Sequence, residues 1–317
     1  MRKASLNYEI VKSRIMKRMF IISLLFILPF IQNGKLFSQA FEEETWKFPG
    51  KDTLSLETLG STKVFISGSN SGEIEIKLRY KARPDEKFEV KERQRTIYLK
   101  EYVLNYNKHK PTQTYFEECT FIITIPQGMY VGCSGSSGEF KVAGFIGVFK
   151  AEYGLGKFIF NDVEGSIELQ LAQLQARIHN SKGSFSLSSA SGLIRATRLT
   201  VNGNSSFMSG LGSIKISLAR APESDLYVGS NFNKAQVRLN GHPVTGYFEF
   251  IAMAGKGRII SPIKFDKEET FLDDIKSYRD SSDFGKKSEY KRKSFIRGDS
   301  KPKITLKTAT GIAQLIK

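Results

Sequence analysis

The sequence predicts an all-β protein: a single-stranded parallel β-solenoid, or β-helix, of short glycine-punctuated rungs. Three observations favour this fold. Glycines recur every nine residues between 138 and 192, and apolar residues follow each phase position at fixed offsets. Residues 53–78 show short apolar alternations, which have the period of strands and not of helices. An antiparallel β-meander or sandwich with four-residue turns would have the same period and is the alternative.

The repeat is clearest in residues 138–196. Phase positions 138, 147, 156, 165, 183 and 192 are all glycine, and Leu174 fills the place of the skipped one. Each unit is a five-residue strand with one apolar side, and two units form an 18-residue coil. Stacked coils would place Phe140 over Phe158 at about 4.8 Å. The predicted inward residues are Phe140, Val142, Phe149, Ala151, Phe158, Phe160, Ile167, Leu169, Ala176, Ile178, Phe185, Leu187, Ile194 and Ala196.

Composition limits the functional classes. The 317 residues are 40% hydrophobic, which is enough for a core and excludes wholesale disorder. Two cysteines exclude a disulfide scaffold and a four-cysteine zinc site. The formal net charge of +16 raises the question of a nucleic-acid partner.

Residues 1–40 are predicted to be a secretory signal peptide. A basic segment precedes a 13-residue apolar run at 19–31, and Ser38-Gln39-Ala40 fits a cleavage site. The run is shorter than the about 20 residues of a spanning helix, although an uncleaved anchor is the alternative. Export to the periplasm, the outer surface or the medium would separate the protein from nucleic acid, so no nucleic-acid partner is expected. After cleavage the protein would not be an integral membrane protein.

The rest of the chain divides into three parts. Residues 41–263 are predicted to form the solenoid. Residues 264–303 are rich in charge and poor in aliphatic side chains, so we expect a charged flexible insertion. Residues 304–317 return to the strand pattern and are expected to form the closing rung of the solenoid.

The repeats resemble those of the bacterial putative-adhesin domain family. The similarity lies in a strand ending Ile125-Pro-Gln-Gly128 and in glycine-led rungs such as Gly165-Ser-Ile-Glu-Leu169. Thr308–Gly311 fits the same pattern. The resemblance implies a glycine-rich exported β-solenoid of the cell envelope, and it supplies no catalytic motif.

No catalytic, cofactor or metal site is predicted. A calcium-binding nonapeptide roll needs a carboxylate at each turn, and among the corresponding turn positions only Asp162 supplies one. A carbohydrate-active enzyme on the same scaffold would need clustered carboxylates. The outward acids, which the pattern does not bring together, are Glu139, Glu152, Asp162, Glu164 and Glu168.

Two further features are candidate sites. Basic residues concentrate near the C-terminus and would contact a polyanion; they are Lys286, Lys287, Lys291, Arg292, Lys293 and Arg297. Cys119 and Cys133 would form a disulfide in an oxidising compartment. Their spacing of 14 residues does not match the 18-residue coil, so two buried thiols are the favoured alternative.

Together these features predict an exported, non-enzymatic interaction module of the cell envelope or surface, needing no cofactor. Its partner would be a surface polysaccharide, an envelope component or a host glycan. The alternatives are a carbohydrate-active enzyme on a β-helix scaffold and a purely structural envelope protein.

The inward assignment of Phe158 can be tested with Phe158→Asp. We expect this variant to unfold, because an unpaired carboxylate would replace a ring in the core. Circular dichroism and solubility would measure the effect. A folded and soluble variant would contradict the assignment.

Overall fold

The computed structural model describes residues 41–60, 62–81, 86–103, 119–273 and 288–317. Every regular element in these residues is a β-strand, so the all-β prediction is confirmed. The predicted signal peptide lies outside the described residues. The strands are β1 Phe41–Pro49, β2 Thr53–Thr58, β3 Thr62–Ser69, β4 Glu73–Lys81, β5 Glu86–Arg93, β6 Thr96–Val103, β7 Cys119–Pro126, β8 Met129–Ala143, β9 Ile146–Asn161, β10 Glu164–His179, β11 Lys182–Val201, β12 Ser205–Ser209, β13 Ile214–Leu218, β14 Leu226–Ser230, β15 Lys234–Arg238, β16 Gly246–Met253, β17 Arg258–Ile260, β18 Lys267–Asp273, β19 Ser288–Arg297, β20 Lys303–Thr308 and β21 Ile312–Ile316.

The centre of the described chain is parallel. Strands β8 to β11 pair in sequence order, and each residue pairs with the residue 18 positions further on, as in Gly147, Gly165 and Gly183. The offset equals two nine-residue units. Each long strand therefore contributes two segments, one to each of two series of neighbouring strands.

We call these series ladder 1 and ladder 2, and a rung is one segment from each in succession. Ladder 1 contains, in order, β5, β6, β2, the first halves of β8–β11, β12, β14, β20, β16, β19 and β18. Ladder 2 contains β1, β4, β7, β3, the second halves of β8–β11, β13, β15, β21 and β17.

The core lies between the two ladders. All fourteen residues predicted to point inward are buried. Phe140 and Phe158, which are neighbours in ladder 2, stack with ring centroids 4.8 Å apart. Phe149 of ladder 1 meets Phe160 of ladder 2 edge-on at 5.1 Å. Burying each such ring contributes about 1.5–3 kcal/mol, so this column is a large share of the stabilisation.

Antiparallel strands lie at both ends of the ladders. Strands β1 and β4 pair antiparallel, as do β4 and β7, and β5 and β6 form a hairpin. The prediction of one uniform solenoid over 41–263 therefore needs correction at its N-terminal end. The consecutive strands β5 and β6 return directly and so pair antiparallel, whereas the parallel pairing of the centre needs the chain to cross to the other ladder and back.

The expected flexible insertion at 264–303 is also corrected. Strands β18 and β19 pair antiparallel, and β19 pairs with β16, so both extend ladder 1. Residues 274–287 lie outside the described residues. Acids of β18 face bases of β19, as in the registers Glu268 to Lys293 and Glu269 to Arg292. Charges that indicated a solvated loop thus stabilise a hairpin through cross-strand pairs.

The expected closing rung is not at the end of the ladders. Strand β20 lies between β14 and β16, and β21 lies between β15 and β17. The chain therefore leaves one rung vacant as it passes from β15 to β16 and fills it with its last strands. The side chains of β20 and β21 complete the core there, and the buried ones include Ile304, Leu306, Ala313 and Leu315.

A column of glycines allows the close stacking at one corner. Gly183 has a φ of +146°, and a Cβ added there would lie 1.7 Å from the carbonyl oxygen of Gly165. No side chain fits at that distance, so these positions require glycine both for their φ and for their contact with the next rung.

We expect Gly183→Ala to lower the free energy of unfolding by at least about 1–3 kcal/mol through backbone strain, with the clash adding to this. Chemical denaturation measures the change. Gly72→Ala is the matched control, because nothing lies within 4 Å of a Cβ at Gly72. Equal stability of the two variants would contradict the stacking at Gly183.

The inserted rung is tested by Leu306→Asp. Leu306 lies between Val228 and Phe250 of the flanking strands. We expect a loss of about 3–5 kcal/mol, as for an uncompensated buried charge. The control is Lys317→Asp at the exposed last residue. Similar denaturation midpoints for both variants would show that Leu306 does not sit in the core.

Candidate anion-binding surface

Five basic residues gather on the outer side of ladder 2. Residues alternate along each strand between the core and the outer side, so the outward positions of neighbouring strands also form rows. We call this group the basic patch; its members are Arg177, Arg195, Lys215, Lys234 and Arg238. The three arginines are exposed, and the two lysines are half-buried.

Strand register brings these cations together. Arg177 of β10 pairs with Arg195 of β11, and Arg195 pairs with Lys215 of β13. Arg238 of β15 is directly opposite Ser217, two residues beyond Lys215. Neighbouring strands are about 4.8 Å apart, so three cations occupy successive positions of one row. The same register that stacks the core therefore also stacks like charges outside.

In the parts of the chain that the structure describes, the basic patch has no acidic counterpart. None of its five residues forms an ion pair within the described ranges, whereas most basic side chains elsewhere on the described surface have an acidic neighbour. The patch lies on four strand segments, which are the second halves of β10 and β11, β13 and β15. The outward neighbours along these segments are uncharged or histidine: Gln175, His179, Leu193, Thr197, Ser217 and Gln236. Two like charges 4 Å apart repel by about 1 kcal/mol even in bulk water, so the arrangement has an electrostatic cost.

The N-terminal part of the same outer side is different. Glu139 lies between Lys157 and Lys141, with N···O distances of 2.9 and 3.8 Å. The hydrogen bond from Lys157 is the main reason that the pKa of Glu139 is lowered. Lys63, Lys141 and Lys157 thus share an acid in their midst, which the described surroundings of the basic patch lack.

A groove runs through the basic patch. It has a volume of about 240 Å³, and its polar lining consists of Arg195, Thr197, Lys215, Ser217, Gln236 and Arg238. Asn240 donates a hydrogen bond from Nδ2 to Oγ of Ser217 at 2.7 Å. Because the Ser217 oxygen accepts that bond, its own proton can point to another acceptor. The groove is therefore rich in hydrogen-bond donors and carries three positive charges.

The cationic residues expected from the sequence lie elsewhere. Lys286 and Lys287 fall outside the described residues, and Lys291 is exposed on β19. The other three, Arg292, Lys293 and Arg297, have acidic partners. Their shortest ion pairs are with Glu269 at 2.7 Å, Glu268 at 2.8 Å and Asp266 at 2.8 Å.

These pairs change the titration of their acids. The pKa of Asp266 is lowered by its hydrogen bond with Arg297 and by the backbone N–H of Ile296. Lys267, and then Arg292, lower the pKa of Glu269. Arg292 also reaches the buried Glu249 at 3.2 Å. The charges of Arg292, Lys293 and Arg297 are therefore balanced by acids of the same protein.

Cys119 and Cys133 are both buried, and no disulfide joins them. Cys119 lies in β7 of ladder 2, whereas Cys133 lies in the first half of β8, in ladder 1. Burial raises the pKa of the Cys133 thiol, which keeps it protonated and unreactive.

The outward acids are distributed over several places. Glu139 is on ladder 2, Asp162 accepts a hydrogen bond from Asn180, and Glu164 pairs with Lys182. Glu152 and Glu168 share the outer side of ladder 1, where Lys150 lies between them and pairs with Glu152 at 3.2 Å. Among the described residues no group of three or more His, Cys, Asp and Glu side chains is placed to hold a metal ion.

The basic patch was not predicted, although the sequence contains a signal for it. Arg177 and Arg195 are 18 residues apart and occupy the same outward place in consecutive coils. The period alone does not reach Lys215, which is 20 residues after Arg195 and joins the row only through the pairing of β11 with β13.

No protein-family model matches the chain, and no curated protein matches it. Solved structures of putative adhesins and of a putative cell adhesion protein are similar to it. A putative cell adhesion protein from Clostridium sporogenes has 14% identity, covering 87% of this chain and 99% of its own, with a TM-score of 0.25. Putative adhesins from Parabacteroides merdae and Parabacteroides distasonis have 12% and 10% identity and each cover 64% of this chain. They cover 89% and 90% of their own chains, with TM-scores of 0.29 and 0.32.

These names match the family that the repeats resemble. In the parts of the chain that the structure describes, no helix is long and apolar enough to cross a membrane.

Proposed function

We propose that the protein is an exported, non-enzymatic interaction module of the cell envelope or surface, and that its basic patch binds an acidic polysaccharide. The observation that carries this proposal is the row of unmatched cations on a regular outer surface. Charges that stabilise a fold are usually paired, and unmatched like charges are instead suited to a partner of opposite sign. Export is supported by the leader-like pattern of residues 1–40.

A polysaccharide suits the patch better than a nucleic acid does. Proteins that hold single strands stack the bases on aromatic side chains. The outward residues of the four patch segments include no Phe, Tyr or Trp. Readers of duplex DNA insert a helix or a ribbon into a groove, and the patch is the flat side of a sheet. An acidic polysaccharide needs only regularly placed cations and hydrogen-bond donors.

The enzyme alternative has one specific observation in its favour, the placement of Glu152 and Glu168 on adjacent strands. Retaining and inverting glycosidases use two carboxylates at separations of about 5–10 Å. Here Lys150 lies between the two acids, and its pKa is raised mainly by its hydrogen bond with Glu152. We propose that this is a surface ion-pair network. Release of reducing ends from a polysaccharide, abolished by Glu152→Gln, would instead establish an enzyme.

The proposed function is tested by binding to immobilised polygalacturonate and heparin, with neutral dextran as the reference polymer. We expect the protein to bind the acidic polymers and not dextran, and to lose affinity as salt rises because the contacts are electrostatic. A triple variant, Arg177→Glu, Arg195→Glu and Arg238→Glu, should bind at least 100-fold more weakly.

The matched control makes the same charge change at exposed lysines outside the patch: Lys87→Glu, Lys256→Glu and Lys301→Glu. It should bind within about threefold of the unmodified protein. Equal loss in both triple variants would show that net charge and not the patch governs binding. Failure to bind any acidic polymer, or tighter binding to oligo-dT, would overturn the proposal. An envelope defect on deletion without any binding would favour the structural alternative.

A further inference from the structure

We propose that the groove between Arg195, Lys215 and Arg238 is a subsite for one acidic group of the bound polysaccharide, a carboxylate or a sulfate ester. This inference rests on the proposed function and adds a ligand group and a location to it. It would make the basic patch a surface with one defined binding position, and not only a region of positive potential.

The geometry points to a single oxyanion. Arg195 and Lys215 pair across adjacent strands, and Arg238 is the partner of Ser217 on the next strand. The three cations thus surround the groove from two successive outward rows. Its volume of about 240 Å³ is below the about 300–1,000 Å³ of pockets that enclose a whole ligand. The groove therefore suits one substituent of a chain that lies across the surface.

The polar lining also favours an anion. Guanidinium and ammonium groups only donate hydrogen bonds, and the planar guanidinium can bind a carboxylate or sulfate through two parallel bonds. Ser217 has its proton available, since its oxygen already accepts from Asn240. Asn240 is itself fixed by a second bond to the carbonyl oxygen of Leu218 at 2.7 Å. The described lining contains no carboxylate that would compete for these donors.

The direction of the polymer follows from the row. Arg177 continues the row formed by Arg195 and Lys215, at right angles to the strands. A linear acidic chain lying across the strands would place one group in the groove and a neighbouring group at Arg177. Along the strands the cations do not occupy successive outward positions; on β15, for example, the uncharged Gln236 separates Lys234 from Arg238.

The test compares variants that differ in place but not in charge. Arg195→Ala and Arg238→Ala remove groove cations, and Lys234→Ala removes a cation of the same patch that does not line the groove. With a short oligogalacturonide as probe, we expect the groove variants to bind at least tenfold more weakly and Lys234→Ala at most threefold. A sulfated oligosaccharide of similar length, used in parallel, distinguishes sulfate from carboxylate as the preferred group.

Ser217→Ala tests the subsite without changing the net charge of the protein. We expect it to weaken binding about fivefold, because one donor to the anion is lost while all five patch cations remain. Unfolding midpoints of all variants verify that they stay folded. The subsite would be overturned if Lys234→Ala lost as much affinity as the groove variants and Ser217→Ala bound as tightly as the unmodified protein. That result would leave the proposed function standing. No binding of either probe by a protein that still binds the polymers would also overturn the subsite, whereas loss of all polymer binding would overturn the proposed function.

Discussion

The 18-residue parallel register is the constraint on which the rest of the structure depends. It places chemically equivalent residues of successive rungs directly over one another, so that Phe140 meets Phe158 and Gly165 meets Gly183. Aromatic stacking stabilises this register, and the glycines at the corner permit it because they have no Cβ to clash with the next rung. A shift by one residue would turn every inward side chain outward, which makes the register strongly specified. The outward rows are a consequence of the same register and not a separate feature.

A stack of parallel strands has open edges, and the chain treats its ends differently from its centre. At the N-terminal end, β1 and β5 add antiparallel strands with many charged residues, as β18 does at the other end. Charged edge strands disfavour pairing with another molecule. The C-terminal rung is held more firmly, because β20 and β21 each have a strand on both sides. Both its backbone hydrogen bonds and its apolar side chains are thus satisfied within the protein.

The sequence was sufficient to predict what is local to a rung. The nine-residue period fixes which side chains point inward, and the burial of Phe149 and Ile178 agrees with it. The period does not fix which rungs are neighbours, since each rung presents the same pattern of backbone donors and acceptors. The insertion of β20 between β14 and β16 was therefore not predictable in this way. The hairpin of β18 and β19 was missed because alternating charges have the composition of a loop, and only their cross-strand partners show that they form strands.

The candidate site was predictable only in part, for a reason that concerns charge and not pattern. A cluster of bases in the sequence, such as 291–297, attracts attention, but acids from another strand can neutralise it, as Glu268 does for Lys293. Arg195, Lys215 and Arg238 are dispersed in the sequence and become a cluster only when register aligns them. In a stacked β protein, the outward residues at a fixed place in each coil are therefore the better guide to a binding surface than runs of like charge.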